Sequence, residues 1–493
     1  MKEHYMKNLS EHLSHRAFRT VGRAADELGL EAYVVGGYVR DIFLNRPSKD
    51  ADFVTVGSGI ELARKVAELI AEETGRKPRV AVYANYGTAQ LRDGDLELEF
   101  VGARKESYHR ESRNPIVEDG TLEDDQQRRD FTINAMAICV NAERFGELVD
   151  PFDGIADIES KSIRTPLDPD VTFSDDPLRM MRAIRFASQL GFFIVPETFN
   201  AIRRNRKRIE IITKERINDE LSKIIRSPRP SVGFKLLDMS GLLELIFPEL
   251  CELKGVETQE GRGHKDNFLH TLKVLDNVAE KTDDEWIRWA ALLHDIAKPR
   301  VKRYDPKLGW TFHNHNFIGE KMIPKLFRKM KLPLNEKMKF VAKLVGLHMR
   351  PQSVADAGVS DSGVRRLITD AGDDIEALML LCEADITSKI PEKVKRQLEG
   401  FSRLRVRMDE INAADNYRKW KNPVDGNEIM ERYHIPGSKV IATIKESIKE
   451  AIMEGEIENN HDAALNYADQ LALSLRDEIE ALGGNLDAIS IAN

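Results

Sequence analysis

The 493-residue chain reads as an α+β multidomain protein with an N-terminal head on a mixed β-sheet, followed by an all-α neck, a helical body and a helical tail. Three observations predict this. Short β-branched or alternating segments surround one amphipathic helix in the first roughly 150 residues. From Asp176-Pro177 onward, nearly every segment carries helical periodicity. The length also exceeds the roughly 250 to 300 residues that one hydrophobic core fills.

In order, EAYVV, DADFVTV, RVAVYA, TAQLR, LELEFV and INAMAICV are expected strands, and IELARKVAELIAEETG is the amphipathic helix between them. The head closes near DPFDGIADIESKSIR. Asp176 is then expected to cap a helix whose first residue is Pro177. Proline, glycine and charge clusters put boundaries near residues 165, 250 and 400, and no repeat of fixed period is visible.

Hydrophobic residues at 41% and charged residues at 32% describe an ordinary soluble protein. The longest apolar runs, WAALLH and ALMLLC, fall far short of the roughly 18 residues of a membrane span, so no membrane partner is expected. MKEHYMKNLSEHLSHR has neither an apolar core nor a small-residue cleavage site, and a cytoplasmic location is the expectation. Cys139, Cys251 and Cys382 are scattered and read as packing residues. A net charge of −8 requires any nucleic-acid surface to be local.

One stretch needs more than packing to explain it: YVVGGYVRDIFLNRPSKDADFV, residues 33 to 54. Asp50 and Asp52 are two apart on a strand and so share a face, where two carboxylates repel unless a cation sits between them. Mg²⁺ prefers such oxygen ligands together with substrate phosphates. Gly36 and Gly37 remove side chains at a strand end and let backbone N–H groups approach phosphate oxygens, while Arg40 adds charge. A third carboxylate that helps deprotonate an attacking hydroxyl is offered by Glu97 or Glu99, on one face of LELEF.

At this point the chain resembles the class II tRNA nucleotidyltransferases, the CCA-adding enzymes of the polymerase-β superfamily, a family shared with bacterial poly(A) polymerases. The resemblance runs from about residue 30 to 225. VVGGYVRD with KDADF is similar to the catalytic motif, and RRDFTINAMA to the ribose-contacting one. DPFDGIADIESKSIR is similar to the hinge between head and neck, SDDPLRMMRAIRFASQLGF to the nucleotide-selecting helix, and ERINDELSKII to the next neck helix. It implies that Arg128 and Arg129 meet phosphates and that Asp130 and Asn134 stand at the ribose. Asp176, Arg179 and Arg182 are implied to meet the nucleotide. Asp176 and Arg179 are three apart, hence on one helical face. A carboxylate accepts from an exocyclic amine and a guanidinium donates to a ring acceptor, a pairing edge that cytosine and adenine share and uracil and guanine lack. Where the family usually has Glu, this chain has Asp175.

A second constellation comprises His270, His294, Asp295, His315, His348 and Asp385 on predicted helices. His294-Asp295, with histidines 24 residues before and 21 and 54 after, resembles an HD-type phosphohydrolase domain, and His313 fits that spacing less well than His315. Imidazole and carboxylate ligands suit a divalent transition metal such as Ni²⁺, Mn²⁺, Co²⁺ or Fe²⁺. Basic segments RRNRKR (203 to 208) and KLFRKMK (325 to 331) suit RNA phosphates.

The expected domains are therefore 1–165, catalytic head; 166–250, neck; 251–400, HD domain; and 401–493, helical tail. The expected activity is Mg²⁺-dependent addition of CCA to tRNA from CTP and ATP, together with a metal-dependent phosphohydrolase. A poly(A) polymerase would use the same head, but its relatives tend to carry basic tails and ESIKEAIMEGEIENNHDAA is acidic. An HD phosphohydrolase with an RNA-binding head would leave Asp50 and Asp52 idle. Enzymes that add CCA, CC, A or poly(A) share these motifs, and the patterns carry no signal of oligomeric state.

Overall fold

The computed structural model describes residues 8–107, 116–259, 262–263, 266–356, 358, 360–388, 390–415 and 420–486. The chain divides into two compact units, Met1–Glu252 and Leu253–Asn493.

In the first unit, β1 (Ala32–Val35), β2 (Asp50–Thr55), β3 (Ala81–Tyr83), β4 (Thr88–Asp93), β5 (Leu96–Gly102), β6 (Ala137–Cys139) and β7 (Leu148–Val149) form one sheet in the order β3-β4-β5-β2-β1-β6-β7. Only β2 and β5 run parallel, which makes the sheet mixed as the sequence predicts. A parallel pair needs a crossover. The helix Gly59–Thr74 lies in that crossover, with Ser58 capping the Glu61 N–H at 3.2 Å and Gly75 ending it at φ +71°. It buries Leu62, Ala63, Val66, Ala67, Leu69 and Ile70. In β2 and β5, Phe53 stacks on Phe100 with ring centroids 5.3 Å apart.

INAMAICV is a strand only over Ala137–Cys139, because Thr132–Asn134 makes a 3₁₀ turn. There the Asp130 carboxylate accepts from the Phe131 N–H and the Asn134 amide, and drives the chain into the turn.

In the neck, a helix over Pro169–Asp175 precedes the expected one, so Asp176 ends one helix before the next begins at Leu178. Pro177 occupies the cap position, and the Asp176 carboxylate accepts from the Leu178 N–H at 3.1 Å. The helix Leu178–Leu190 stops at Gly191 (φ +73°), packs on Lys214–Ile225 and Pro230–Ser240, and buries Met180, Met181 and Ile184.

The second unit is helical apart from short strand pairs such as the hairpin Arg303–Asp305 with Gly309–Thr311. Its central helices are Asn267–Ala279, Glu285–Leu293, His315–Met330, Glu336–Leu347 and Ile375–Asp385, around buried Trp289, Leu292, Phe327, Leu344 and Leu378. Pro391–Asp415 and Lys439–Glu454 follow. Among the described residues no helix is long and apolar enough to cross a membrane.

Candidate functional sites

The carboxylates converge because of strand register. Asp52 lies opposite Glu99 and Asp50 opposite Glu97 across the parallel pair, all four facing away from the buried Ala51, Leu98 and Phe53. The two glutamates then diverge. Glu99 is half-buried and accepts from the Gln90 amide at 2.9 Å, whereas exposed Glu97 lies 3.6 Å from Arg92. The outer edge of Asp52 meets solvent, yet surrounding protein pushes its carboxyl up to about 6. Glu99 adds to that rise, Arg129 opposes it and Asp50 adds again. Clustered acids with one guanidinium nearby suit a divalent cation.

Gly36 (φ +73°) caps the helix Gly37–Phe43. A Cβ at Gly36 would meet Arg129 Nη1 at 3.3 Å and Asp52 Oδ2 at 3.4 Å, so only glycine leaves the approach to the carboxylates open. Arg40, expected to add charge near the glycines, is held by its neighbours. Its guanidinium donates to Asp41 at 2.9 Å and to Asn134 Oδ1 at 2.9 Å. Asn134 donates in turn to Asp130 Oδ1 at 3.0 Å, and Arg182 Nε donates to Asp130 Oδ2 at 2.7 Å. Asp130 and Asn134 are 7% and 6% exposed, and through these bonds both join the helix Gly37–Phe43 to the helix Leu178–Leu190. Although burial raises Asp130, the Arg182 charge and the Asn134 and Arg182 hydrogen bonds hold its carboxyl down at about 2.

Buried Asp125 clamps the two arginines of RRDF. Arg128 pairs with one of its oxygens, and Arg129 donates to the other at 3.0 and 2.8 Å. Asp125 was not singled out in the sequence, although its spacing of three and four residues from the arginines was a readable signal.

Asp176 and Arg179 are not an ion pair on one helical face, because Asp176 precedes the helix. They do line one cavity of about 360 Å³ together with Arg128, Arg129, Asp130, Leu178, Arg182, Arg216, Asp219, Glu220 and Lys223. Arg179 is 9% exposed and fixed by an Nη2 bond to the Arg128 carbonyl at 2.6 Å. Under this wall a buried pair ties the neck helices together: Arg185 Nε donates to Glu220 at 2.6 Å, and Lys223 lies 3.1 Å from the same carboxylate. Glu220, Arg216 and Asp219 lie in ERINDELSKII without having been named individually. Arg203, Arg204 and Arg206 of the first basic segment, together with Asn200, line a separate 340 Å³ cleft. The second segment ends the helix His315–Met330, with Leu326, Phe327 and Met330 turned inward.

In the second unit the six residues of the histidine and aspartate constellation meet. His294 and His348 directly follow the helices Glu285–Leu293 and Glu336–Leu347, His315 opens His315–Met330, and Asp385 ends Ile375–Asp385. His270, His294 and Asp385 form one group of potential ligands, and Asp295, His315 and His348 a second. Asp295 joins them: His294 Nε2 lies 3.2 Å, His270 Nε2 3.6 Å, His315 Nε2 3.3 Å and His348 Nε2 3.9 Å from its carboxylate. Asp385 is 2.9 Å from His270.

The donor set fits metal ions. Nδ1 of His294, His315 and His348 each contacts the carbonyl three residues earlier, at 2.7, 2.8 and 2.7 Å, and His270 Nδ1 contacts Thr387 Oγ1 at 2.9 Å. Those contacts aim every Nε2 inward, the orientation that outer partners give to metal-binding imidazoles. His294 Nε2 is buried without a hydrogen-bond partner. Burial opposes charge on His294, but Asp295 and Asp385 raise it to about 9, while burial and the neighbouring imidazoles hold His348 down at about 4. Lys298, unnoticed in the sequence, reaches Asp295 Oδ2 at 2.6 Å. The Cys382 thiol donates to the His348 carbonyl at 2.8 Å, and burial keeps it protonated. His313 is exposed and outside both groups.

Comparison with known proteins gives three successive matches. Residues 32–164 match the poly A polymerase head domain, residues 191–254 the probable RNA and SrmB-binding site of polymerase A, and residues 267–390 the HD domain. The chain is 34% identical over 316 residues to the multifunctional CCA protein of Shewanella frigidimarina, which covers 62% of this chain and 70% of that protein. It is 34% identical over 309 residues to the A-adding tRNA nucleotidyltransferase of Aquifex aeolicus, covering 59% of this chain and about a third (35%) of that protein's length. A tRNA nucleotidyltransferase solved with a primer tRNA and an incoming ATP analogue aligns with TM-score 0.55 at 28% identity, over 78% of this chain and 99% of that one. The Bacillus stearothermophilus CCA-adding enzyme, solved with CTP, aligns with TM-score 0.65 at 22% identity over 94% and 98%, a likeness of fold. With the sheet edge and the histidine cluster each inside a matched segment, and a relative of 34% identity matched over 70% of its length, the chain belongs to the CCA-adding tRNA nucleotidyltransferase and poly(A) polymerase head family, with an HD domain.

Proposed function

We propose that the chain adds C, C and A to the 3′ end of tRNA from CTP and ATP, releasing pyrophosphate. The observation that carries this reading is the convergence of Asp50, Asp52 and Glu99 beside the cavity residues' own arginine, Arg129. In this reading Asp50 and Asp52 hold the ions, and Glu99 rather than Glu97 helps receive the proton of the attacking 3′-hydroxyl. Bound divalent ions, Mg²⁺ by the hardness of the oxygen ligands, would supply the charge that stabilises the departing pyrophosphate. Gly36 and Gly37 leave room for the triphosphate, and Arg129 faces it. Asp176 accepts from the exocyclic amine of the base while Arg179 donates to the neighbouring acceptor. Asp130, Asn134, Arg40 and Arg182 keep the two sides of the site in register.

In the same reading, residues 1–165 and 166–250 are head and neck, 251–400 is a metal-dependent phosphohydrolase, and 401–493 is a tail. His270, His294 and Asp385 would hold one transition-metal ion, and Asp295, His315 and His348 a second. Such ions, Ni²⁺, Mn²⁺, Co²⁺ or Fe²⁺ by ligand type, supply the Lewis acid for hydrolysis of a phosphoester.

The test is incubation with tRNAs ending before, within and after CCA, with each labelled nucleotide offered separately. CTP should enter tRNAs ending before CCA or after its first C, ATP should enter the one ending in CC, and neither should enter the one ending in CCA. Runs of A on every substrate would instead identify a poly(A) polymerase.

A further inference from the structure

The walls of the 360 Å³ cavity contain one charged pair whose side chains have no hydrogen-bond or ion-pair partner among the described residues: Arg216 and Asp219, on the helix Lys214–Ile225. Every other charged group there is engaged. Arg128 and Arg129 are held by Asp125, Arg182 by Asp130, and Lys223 by Glu220. Arg179 is tied to the Arg128 carbonyl, and Asp176 to the Leu178 N–H. Asp219 is exposed and Arg216 half-buried, so both present polar atoms to the cavity at little cost of desolvation.

Arg216 and Asp219 are three residues apart, hence neighbours on one face of their helix. They repeat the chemistry of Asp176 and Arg179 in reversed order, one acid and one guanidinium. Templated by protein alone, the reaction brings two bases to this place. One belongs to the incoming nucleotide. The other belongs to the 3′-terminal nucleotide of the RNA, whose hydroxyl attacks and which must therefore lie beside the first. The Asp176 and Arg179 pair matches a single pairing edge. The cavity falls within the range of about 300 to 1,000 Å³ typical of small-molecule sites.

We infer that Arg216 and Asp219 form a second base-reading pair, which recognises the 3′-terminal base of the RNA being extended when that base is cytosine. Asp219 would accept from the cytosine amine, and Arg216 would donate to the adjacent ring nitrogen and carbonyl. A terminal uracil presents a carbonyl to the carboxylate and an N–H to the guanidinium, and is disfavoured. The inference rests on the nucleotidyltransferase reading above.

The experiment uses the full chain and short hairpin RNAs that differ only in a 3′-terminal C or U, with steady-state addition of the next nucleotide. Wild-type protein should prefer the C-ending primer in kcat/KM by about 5- to 150-fold, the discrimination of one good bidentate contact. In Arg216→Ala and Asp219→Ala that preference should fall toward one, through KM for the primer, while CTP remains selected over UTP and the thermal midpoint is unchanged. Arg216→Lys, which keeps the charge and loses the planar fork, should recover primer binding without recovering the preference. An unchanged preference in both alanine variants, or lost CTP-over-UTP selection with the primer preference intact, would overturn the inference and leave the nucleotidyltransferase reading standing. Absence of any incorporation by wild-type protein would remove both.

Discussion

Asp52 and Glu99 are register partners on two parallel strands, and the same ladder sets Asp50 against Glu97. The sequence offered the two glutamates as equals. The structure separates them, because the Glu99 charge helps raise the Asp52 carboxyl and Glu97 is drawn to Arg92.

Glu99→Gln should therefore slow single-turnover nucleotide addition by at least about 100-fold, in the range of a lost general base, while Glu97→Gln stays within a few-fold. Rapid-quench measurement at saturating CTP checks both. The reverse ranking would put the proton acceptor on Glu97.

Asp50→Ala and Asp52→Ala should each remove incorporation and leave tRNA binding within a few-fold, because the lost groups act on transition-state charge. Filter binding and incorporation on the same preparations test this. Activity above a tenth of wild type in either variant contradicts the ligand assignment.

For Asp130 the sign of the pH dependence follows from its depressed carboxyl. Its folded value of about 2 lies below the ordinary aspartate value of 3.8, so its contribution is full above about pH 4 and is lost as pH falls toward 2. At neutral pH that contribution is about 2 kcal/mol, at roughly 1.4 kcal/mol per unit. Asp130→Asn should be less stable than wild type at pH 7, and the gap should close on acidification. Chemical denaturation at pH 7, 4 and 2.5 measures it, and a constant gap would deny the Arg182 pairing its role.

His294→Ala and Asp295→Ala should lose bound metal by elemental analysis and lose hydrolysis of 2′,3′-cyclic nucleotides, yet add nucleotides to tRNA at near wild-type rates. Ni²⁺ or Co²⁺ should stimulate the hydrolysis more than Mg²⁺, given the imidazole ligands. Equal loss of both activities would mean the two units share one site.

Much of this site was legible because its chemistry depends on local spacing. The i, i+2 aspartates of DADF, the glycine pair and the His-Asp dipeptide carry their geometry with them. What the sequence did not reveal depends on pairing between distant segments. Whether Glu97 or Glu99 sits beside Asp52 is decided by the register of β2 against β5, and Gln90 and Arg92 on β4 then engage the two glutamates differently. Arg40 and Asn134, 94 residues apart, become one hydrogen bond only when two segments meet. The helix Pro169–Asp175 was missed because an aspartate before proline reads equally well as a helix start, although here it is also a helix end.

The parallel pairing of β2 with β5 also constrains how the chain can fold. Asp52 and Glu99 are 47 residues apart, so the acids become neighbours only after the intervening crossover closes, a non-local event of the kind that slows folding. Like charges set opposite each other on paired strands oppose that docking. The edge that carries these acids is thus a point of electrostatic frustration, and a divalent cation is expected to act as a folding aid for the head. Stopped-flow refolding should run faster with millimolar Mg²⁺ than with Na⁺ at equal ionic strength, and Asp52→Asn should abolish the difference.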